Sequence, residues 1–244
     1  MILKCGPDGG WHCHPDNGTF ELYAGGRILM PDAECYIYSG DPENRAWFRQ
    51  TKVHQTLTLN DENLNYKPKL IYWNASDSLD ILVIENKSYE NLIHRRAVFF
   101  VNKRYFVIVD ESVGSALGDV AIHFQLAPGK AVMNKEDFSF RSDFNEGWNV
   151  FVRTNAQEGL EFIEEEGQVS FEYAIKESRP AFAYKIAKRN PNKNIHFLTL
   201  VIPYNSTIPD IKIQSSINSI DDIATSLQLK VMEENVVKEI GYKL

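Results

Sequence analysis

The sequence predicts an all-β protein, a layered antiparallel β-sandwich with one short helix near residues 42–48. Three observations carry this. Short apolar or alternating runs bounded by Gly, Pro, Asn or Asp recur along the whole chain, helical periodicity is almost absent, and no internal repeat or low-complexity linker interrupts the pattern. With 244 residues the chain can bury one large β domain over 1–244, with a possible sub-boundary near 128–136.

Taken in order, Trp11-His12-Cys13-His14-Pro15 reads as an extended segment that places His12 and His14 on one side. Pro15 and Asp16-Asn17-Gly18 then make a turn, and Phe20–Tyr23 is the next strand. Gly26–Pro31 leads to Asp32 at a strand end, and Cys35–Tyr38 reads as a further strand. The one helix is expected at Pro42–Phe48, with Asp41 as N-cap and Pro42 in the first helical position. Arg49 and Thr51 then lead into His54, which opens a strand running to Leu59.

Strands follow at Leu70–Trp73 and Leu79–Ile84, and a hairpin joins Val98–Val101 to Tyr105–Val109 through Asn102-Lys103-Arg104. Val120–Leu126 places His123 on a sandwich face, where a neighbouring side chain is expected to satisfy it. Later strands are expected at Trp148–Val152, Leu160–Ile163, Val169–Tyr173, Ala181–Ile186 and His196–Ile202. Glu164-Glu165-Glu166 and the run Lys188–Asn194 read as solvated turns between them. A last hairpin, Leu227–Val231 with Val236–Ile240, turns at Glu233-Glu234-Asn235.

A net charge of -7 opposes nucleic acid as a partner, since phosphate neutralisation needs clustered Lys and Arg. An acidic polysaccharide would have to be met by local charge, for which Arg27, Arg45, Arg49 and Lys52 are candidates. Cys5, Cys13 and Cys35 are odd in number and lack framework spacing, which argues against a disulfide scaffold. Cys13 and Cys35 are expected on the packed side as small buried groups, with a Cys-ligated metal as the less favoured reading. No run is long and uncharged enough to span a bilayer, and Met1–Cys5 is too short for an export signal's apolar region.

Two imidazoles and a carboxylate brought together by different strands are a reasonable ligand set for zinc. The competing interpretation of His12-Cys13-His14 is a solvated face or a satisfied polar pair. A cupin-like metal enzyme would also use strand histidines, with an open, water-bearing ion.

Gly9–Leu22, Gly26-Arg27 through Pro31-Asp32, Tyr36–Asp41, Trp47–Thr51 and His54–Leu59 together resemble the heparinase II/III family of polysaccharide lyases, closest to the heparinase III branch. Arg95–Val101, Val107–Glu111, His123–Leu126 and Ser178–Phe182 extend the resemblance over nearly the whole chain. It implies a supersandwich-like C-terminal domain of an enzyme that cleaves heparan sulfate or related glycosaminoglycans by β-elimination at uronic acid. By matching positions, His12 resembles the catalytic histidine, Tyr36 a substrate-facing residue, and His14, Asp32 and His54 the ligands of one structural divalent metal, zinc by the family pattern. The family's N-terminal α-toroid, which supplies the rest of the catalytic groups, has no counterpart here. The chain alone is therefore expected to hold half an active site, and the full-length protein to be periplasmic or secreted. A non-catalytic glycan-binding β-sandwich is the alternative.

Overall fold

The computed structural model describes residues 1–214 and 226–243. Their strands are β1 (Ile2–Leu3), β2 (Phe20–Ala24), β3 (Arg27–Met30), β4 (Leu57–Leu59), β5 (Pro68–Asn74), β6 (Leu79–Tyr89), β7 (Leu92–Val101), β8 (Tyr105–Val113) and β9 (Gly118–Gln125). They continue as β10 (Ala131–Asn134), β11 (Ser139–Ser142), β12 (Trp148–Thr154), β13 (Glu161–Glu172), β14 (Ile175–Lys188), β15 (Ile195–Asn205), β16 (Ile211–Gln214), β17 (Ser226–Glu233) and β18 (Val236–Lys243). Among the described residues there is a single α-helix, α1 (Pro42–Phe48), between β3 and β4, as the sequence predicts. Asp41 caps it, its carboxylate accepting from the Asn44 N–H at 3.1 Å.

The centre is an eight-stranded antiparallel sheet in the order β10-β11-β12-β15-β8-β7-β6-β5. Along β7 and β8 alternate residues serve two different cores, because side chains on a strand point to opposite faces. Val98, Phe106 and Ile108 pack with Phe20, Ile122, Phe124, Phe182 and Tyr184, toward the four-stranded sheet β13-β14-β9-β4 and the hairpin β2-β3. Ala97, Phe99, Val107 and Val109 pack the other way with Leu227, Leu229, Val231, Ile240 and Tyr242, under the three-stranded sheet β16-β17-β18. Burial on both faces explains why β7 and β8 read as continuous apolar runs rather than as alternating ones.

The hairpin between β7 and β8 turns at Asn102 and Lys103, both at positive φ (52° and 54°), the backbone that matches strand twist in a tight turn. His123, on β9, is buried between the Thr58 hydroxyl and the Glu165 carboxylate, each 2.8 Å away, so it is satisfied as expected. Among the described residues no helix is long and apolar enough to cross a membrane; membrane-crossing strands are a separate matter.

Four sequence expectations are corrected. Residues 11–15 are not a strand: Gly10, at φ +72°, opens a 3-10 turn over Gly10–His12, and the expected turn at Asp16-Asn17-Gly18, with Gly18 at φ +88°, closes the loop. Cys35–Tyr38 is irregular too, because Glu34 and Tyr36 take positive φ (62° and 53°), which no regular strand accommodates. Glu164-Glu165-Glu166 is no turn but the middle of β13, where charge is tolerated because β13 is an edge strand, paired only to β14. Finally, Cys13 and Cys35 are only half-buried and Cys5 is exposed, since the strand alternation that would have buried the first two is absent.

Candidate metal centre and its neighbouring histidine

Loss of the expected strand separates the two histidines that it would have paired. His12 ends the 3-10 turn and is exposed, whereas the backbone becomes extended at Cys13 and His14 turns inward, half-buried. The loop after Cys13 is pinned from several directions. Arg49 donates to the Cys13 carbonyl at 2.9 Å, the Thr51 hydroxyl to the Pro15 carbonyl at 2.5 Å, and Lys4 pairs with Asp16.

His14 meets two residues from other segments. Asp32 lies two positions beyond β3, and His54 follows a second 3-10 turn, Thr51–Val53, before β4. His14 Nδ1 is 3.2 Å from His54 Nε2, and His54 Nε2 is 3.6 Å from Asp32 Oδ1. The three side chains can each present a ligand atom within 4.8 Å of the other two. Among the described residues this is the one such group of three or more His, Cys, Asp or Glu side chains.

The polar groups around the cluster leave the right atoms free. His54 is 1% exposed, and its Nδ1 lies 2.8 Å from the Gln50 carbonyl, which can only accept; Nδ1 therefore donates there, and Nε2 faces His14 and Asp32. Burial, with His54 next, pushes the His14 imidazole down to about 4, so it is neutral at ordinary pH. Burial works to raise the Asp32 carboxyl, but His54, the Glu34 N–H at 2.9 Å, His14 and Arg179 outweigh it and hold the group below its usual value. The cluster thus offers two imidazoles and one carboxylate, and ligand atoms around a small divalent ion at about 2.0–2.1 Å stand about 3.3–3.6 Å apart in tetrahedral to trigonal geometry. The His14–His54 and His54–Asp32 separations of 3.2 and 3.6 Å lie close to that spacing, and with all three ligand atoms within 4.8 Å of one another the donor set suits such an ion.

His12 lies outside the cluster, beside half-buried Tyr38 and the exposed rings of Trp11 and Tyr173. Its ring meets Tyr38 edge to face at 5.0 Å, and Tyr38 stacks at 6.2 Å on Tyr173 from the end of the β13-β14 hairpin. Arg45 lies over both Trp11 (4.8 Å) and Tyr38 (5.1 Å) and donates to the Trp11 and Ile37 carbonyls. Tyr36 is half-buried, stacked at 5.2 Å on Phe48. Of the two tyrosines it is thus Tyr38 that touches His12, a distinction set by the positive φ of Tyr36 and invisible in a Tyr-x-Tyr pattern. Of the four cations considered for local charge, Arg45 and Arg49 border this region, while Arg27 is engaged elsewhere with Phe144 and the Glu146 carbonyl and Lys52 lies 3.9 Å from Asp61.

Residues 1–215 match the family described as heparinase II/III-like, C-terminal. The chain belongs to that family. It is 36% identical over 248 residues to a heparin-sulfate lyase of Bacteroides stercoris, covering 100% of this chain and 37% of that protein. A heparin-sulfate lyase of Pedobacter heparinus is 37% identical over 222 residues, covering 88% of this chain and 34% of the relative. Among solved structures, a heparinase III superposes with a TM-score of 0.94 at 36% identity, over 99% of this chain and 38% of that one. The heparan sulfate lyase of Pedobacter heparinus superposes with a TM-score of 0.92 at 35% identity, over 99% and 39%. The chain therefore spans little more than a third of the length of these relatives.

Proposed function

We propose that this chain is the C-terminal β domain of a lyase that cleaves heparan sulfate or a related glycosaminoglycan by β-elimination at uronic acid, with His12 as a catalytic residue and zinc held by His14, Asp32 and His54. The observation that carries the proposal is the pairing of an exposed imidazole with a buried His-Asp-His cluster only two residues away, in a chain whose relatives are heparin-sulfate lyases.

Such a reaction removes the proton at C5 of the uronate and delivers a proton to the departing glycosidic oxygen. An imidazole suits either transfer, because one ring nitrogen can accept a proton and the other donate one. Tyr38, whose ring touches His12, and Tyr36, half-buried against Phe48, would border the substrate. Arg45 and Arg49 would oppose its negative charge against a chain that is acidic overall. A bound zinc would supply cross-linking: it would join the loop after Cys13 to the segments around Asp32 and His54, and so hold the main chain that carries His12.

The remaining catalytic groups would come from an N-terminal α-toroid outside these 244 residues, and the full-length protein would work in the periplasm or outside the cell. The test has two parts. Zinc should be found at one per chain by elemental analysis and be lost in His14→Gln and Asp32→Ala; full retention in both variants removes the metal assignment. With heparan sulfate, absorbance of the unsaturated uronate product should stay at background for this chain alone, and turnover by it would refute the half-site reading. Affinity for heparan sulfate that is indifferent to His12→Ala, with no turnover in the full-length protein, would favour the non-catalytic glycan binder.

A further inference from the structure

We propose that Arg179, with Gln55 and Arg96, is a positioning residue that sets the spacing of the His14, Asp32 and His54 side chains from beneath, by gripping the main chain of the segments that carry them.

Arg179 lies on β14 and is 5% exposed. Its Nη1 donates to the Pro31 carbonyl at 2.7 Å and to that of Asp32 itself at 3.1 Å, and its Nη2 donates to the Val53 carbonyl at 3.2 Å. One planar guanidinium thus ties the main chain of one candidate ligand to the residue immediately before another. Gln55 continues the link: its amide donates to the Phe20 and Pro31 carbonyls at 3.2 Å each, and its oxygen accepts from the Gln125 N–H on β9 at 2.6 Å. Arg96, on β7 of the central sheet, donates to the Gln55 carbonyl at 2.6 Å and to the Gly18 carbonyl at the end of the His14 loop. Its other face is held by the buried Asp110 carboxylate at 2.7 Å, which His94 also contacts at 2.6 Å.

Stability alone is a poor account of this arrangement. Burying a guanidinium costs several kcal/mol before any partner is found, and apolar side chains of similar volume commonly replace buried ionic groups without loss. What a planar fork provides and an apolar side chain cannot is a set of fixed angles between carbonyls on separate loops. The neighbouring strand makes room for it. Gly167 stands opposite Arg179 in the β13-β14 register, and a Cβ there would come within 2.5 Å of the Arg179 carbonyl and 3.2 Å of its Cγ.

The test compares the unmodified 244-residue chain with Arg179→Lys, Arg179→Met and a remote core control, Val83→Ala. Hydrogen exchange of metal-free protein should accelerate at least tenfold in residues 31–36 and 51–56 in both Arg179 variants, and stay unchanged there in the control. Zinc affinity, measured by competition with a chelator, should weaken at least tenfold in Arg179→Met and less in Arg179→Lys, which restores a donor without the fork. If Arg179→Met does not fold, Arg179→Lys decides alone. Unchanged exchange in those two segments, or acceleration spread evenly over the chain, overturns the proposal. The affinity arm rests on the metal reading above and the exchange arm does not: failure of the unmodified chain to take up zinc would refute that reading, while exchange would still judge the clamp.

Discussion

At the scale of single residues, the site separates two histidines that sit two positions apart. His12 is exposed beside Tyr38, and His14 is turned toward His54 and Asp32. The separation predicts opposite consequences for two substitutions. On the proposed function, His12→Ala in the full-length protein should lower heparan sulfate turnover at least 100-fold while leaving the metal content intact. His14→Gln should strip the metal first. Parallel elemental analysis and initial-rate assays of the two variants check this, and loss of metal from His12→Ala would contradict the assignment. The residue types were legible beforehand, since His12, His14, Asp32 and His54 stand out in a chain with only six histidines. Their relative orientation was not legible, because it depends on a 3-10 turn and two positive-φ glycines that a strand reading passes over.

At the scale of elements, α1 is the clearest success of local rules, because cap, first-turn Pro and length are all local properties. The edge strand β13 is the clearest failure. Three consecutive glutamates look like a turn, yet Glu165 bonds His123 and its neighbours Glu164 and Glu166 are exposed on an edge. Gly167, immediately after them, is required by the close approach of β14. Gly167→Ala should cost about 1–3 kcal/mol, because the added Cβ would stand 2.5 Å from the Arg179 carbonyl and 2.8 Å from Ala181 Cβ. Urea unfolding at constant m-value measures that loss, and an unchanged midpoint would mean that the strand yields freely.

At the scale of the whole molecule, the central sheet is covered on both faces, so ionisable groups on β7 and β8 are buried under a second layer. Glu111 is the case with a measurable consequence. It is 1% exposed, its Oε1 has no hydrogen-bond partner, and burial raises its carboxyl to about 7, with Arg95 at 3.9 Å opposing the rise. A carboxyl whose pKa is higher folded than unfolded binds more protons in the folded state. Its contribution is present below about pH 4.5 and is lost as pH rises through about 7. Glu111→Gln removes that titration, so the variant should gain on the unmodified chain by about 2–3 kcal/mol between pH 5 and pH 8. Urea titrations at the two pH values decide it, and a constant difference would show that Glu111 does not titrate in that range.

The sequence by itself determined the β class, the helix α1, the central hairpin and the residue types available for chemistry, because these follow from local backbone preference and from the spacing of apolar groups. Only the tertiary structure decided that His14, Asp32 and His54 converge, that Tyr38 rather than Tyr36 meets His12, and that Arg179 reaches the carbonyls of Pro31 and Asp32 from nearly 150 positions away. Contacts of that reach are set by the register of sheets and the conformation of loops, and neither is encoded by any short stretch of chain.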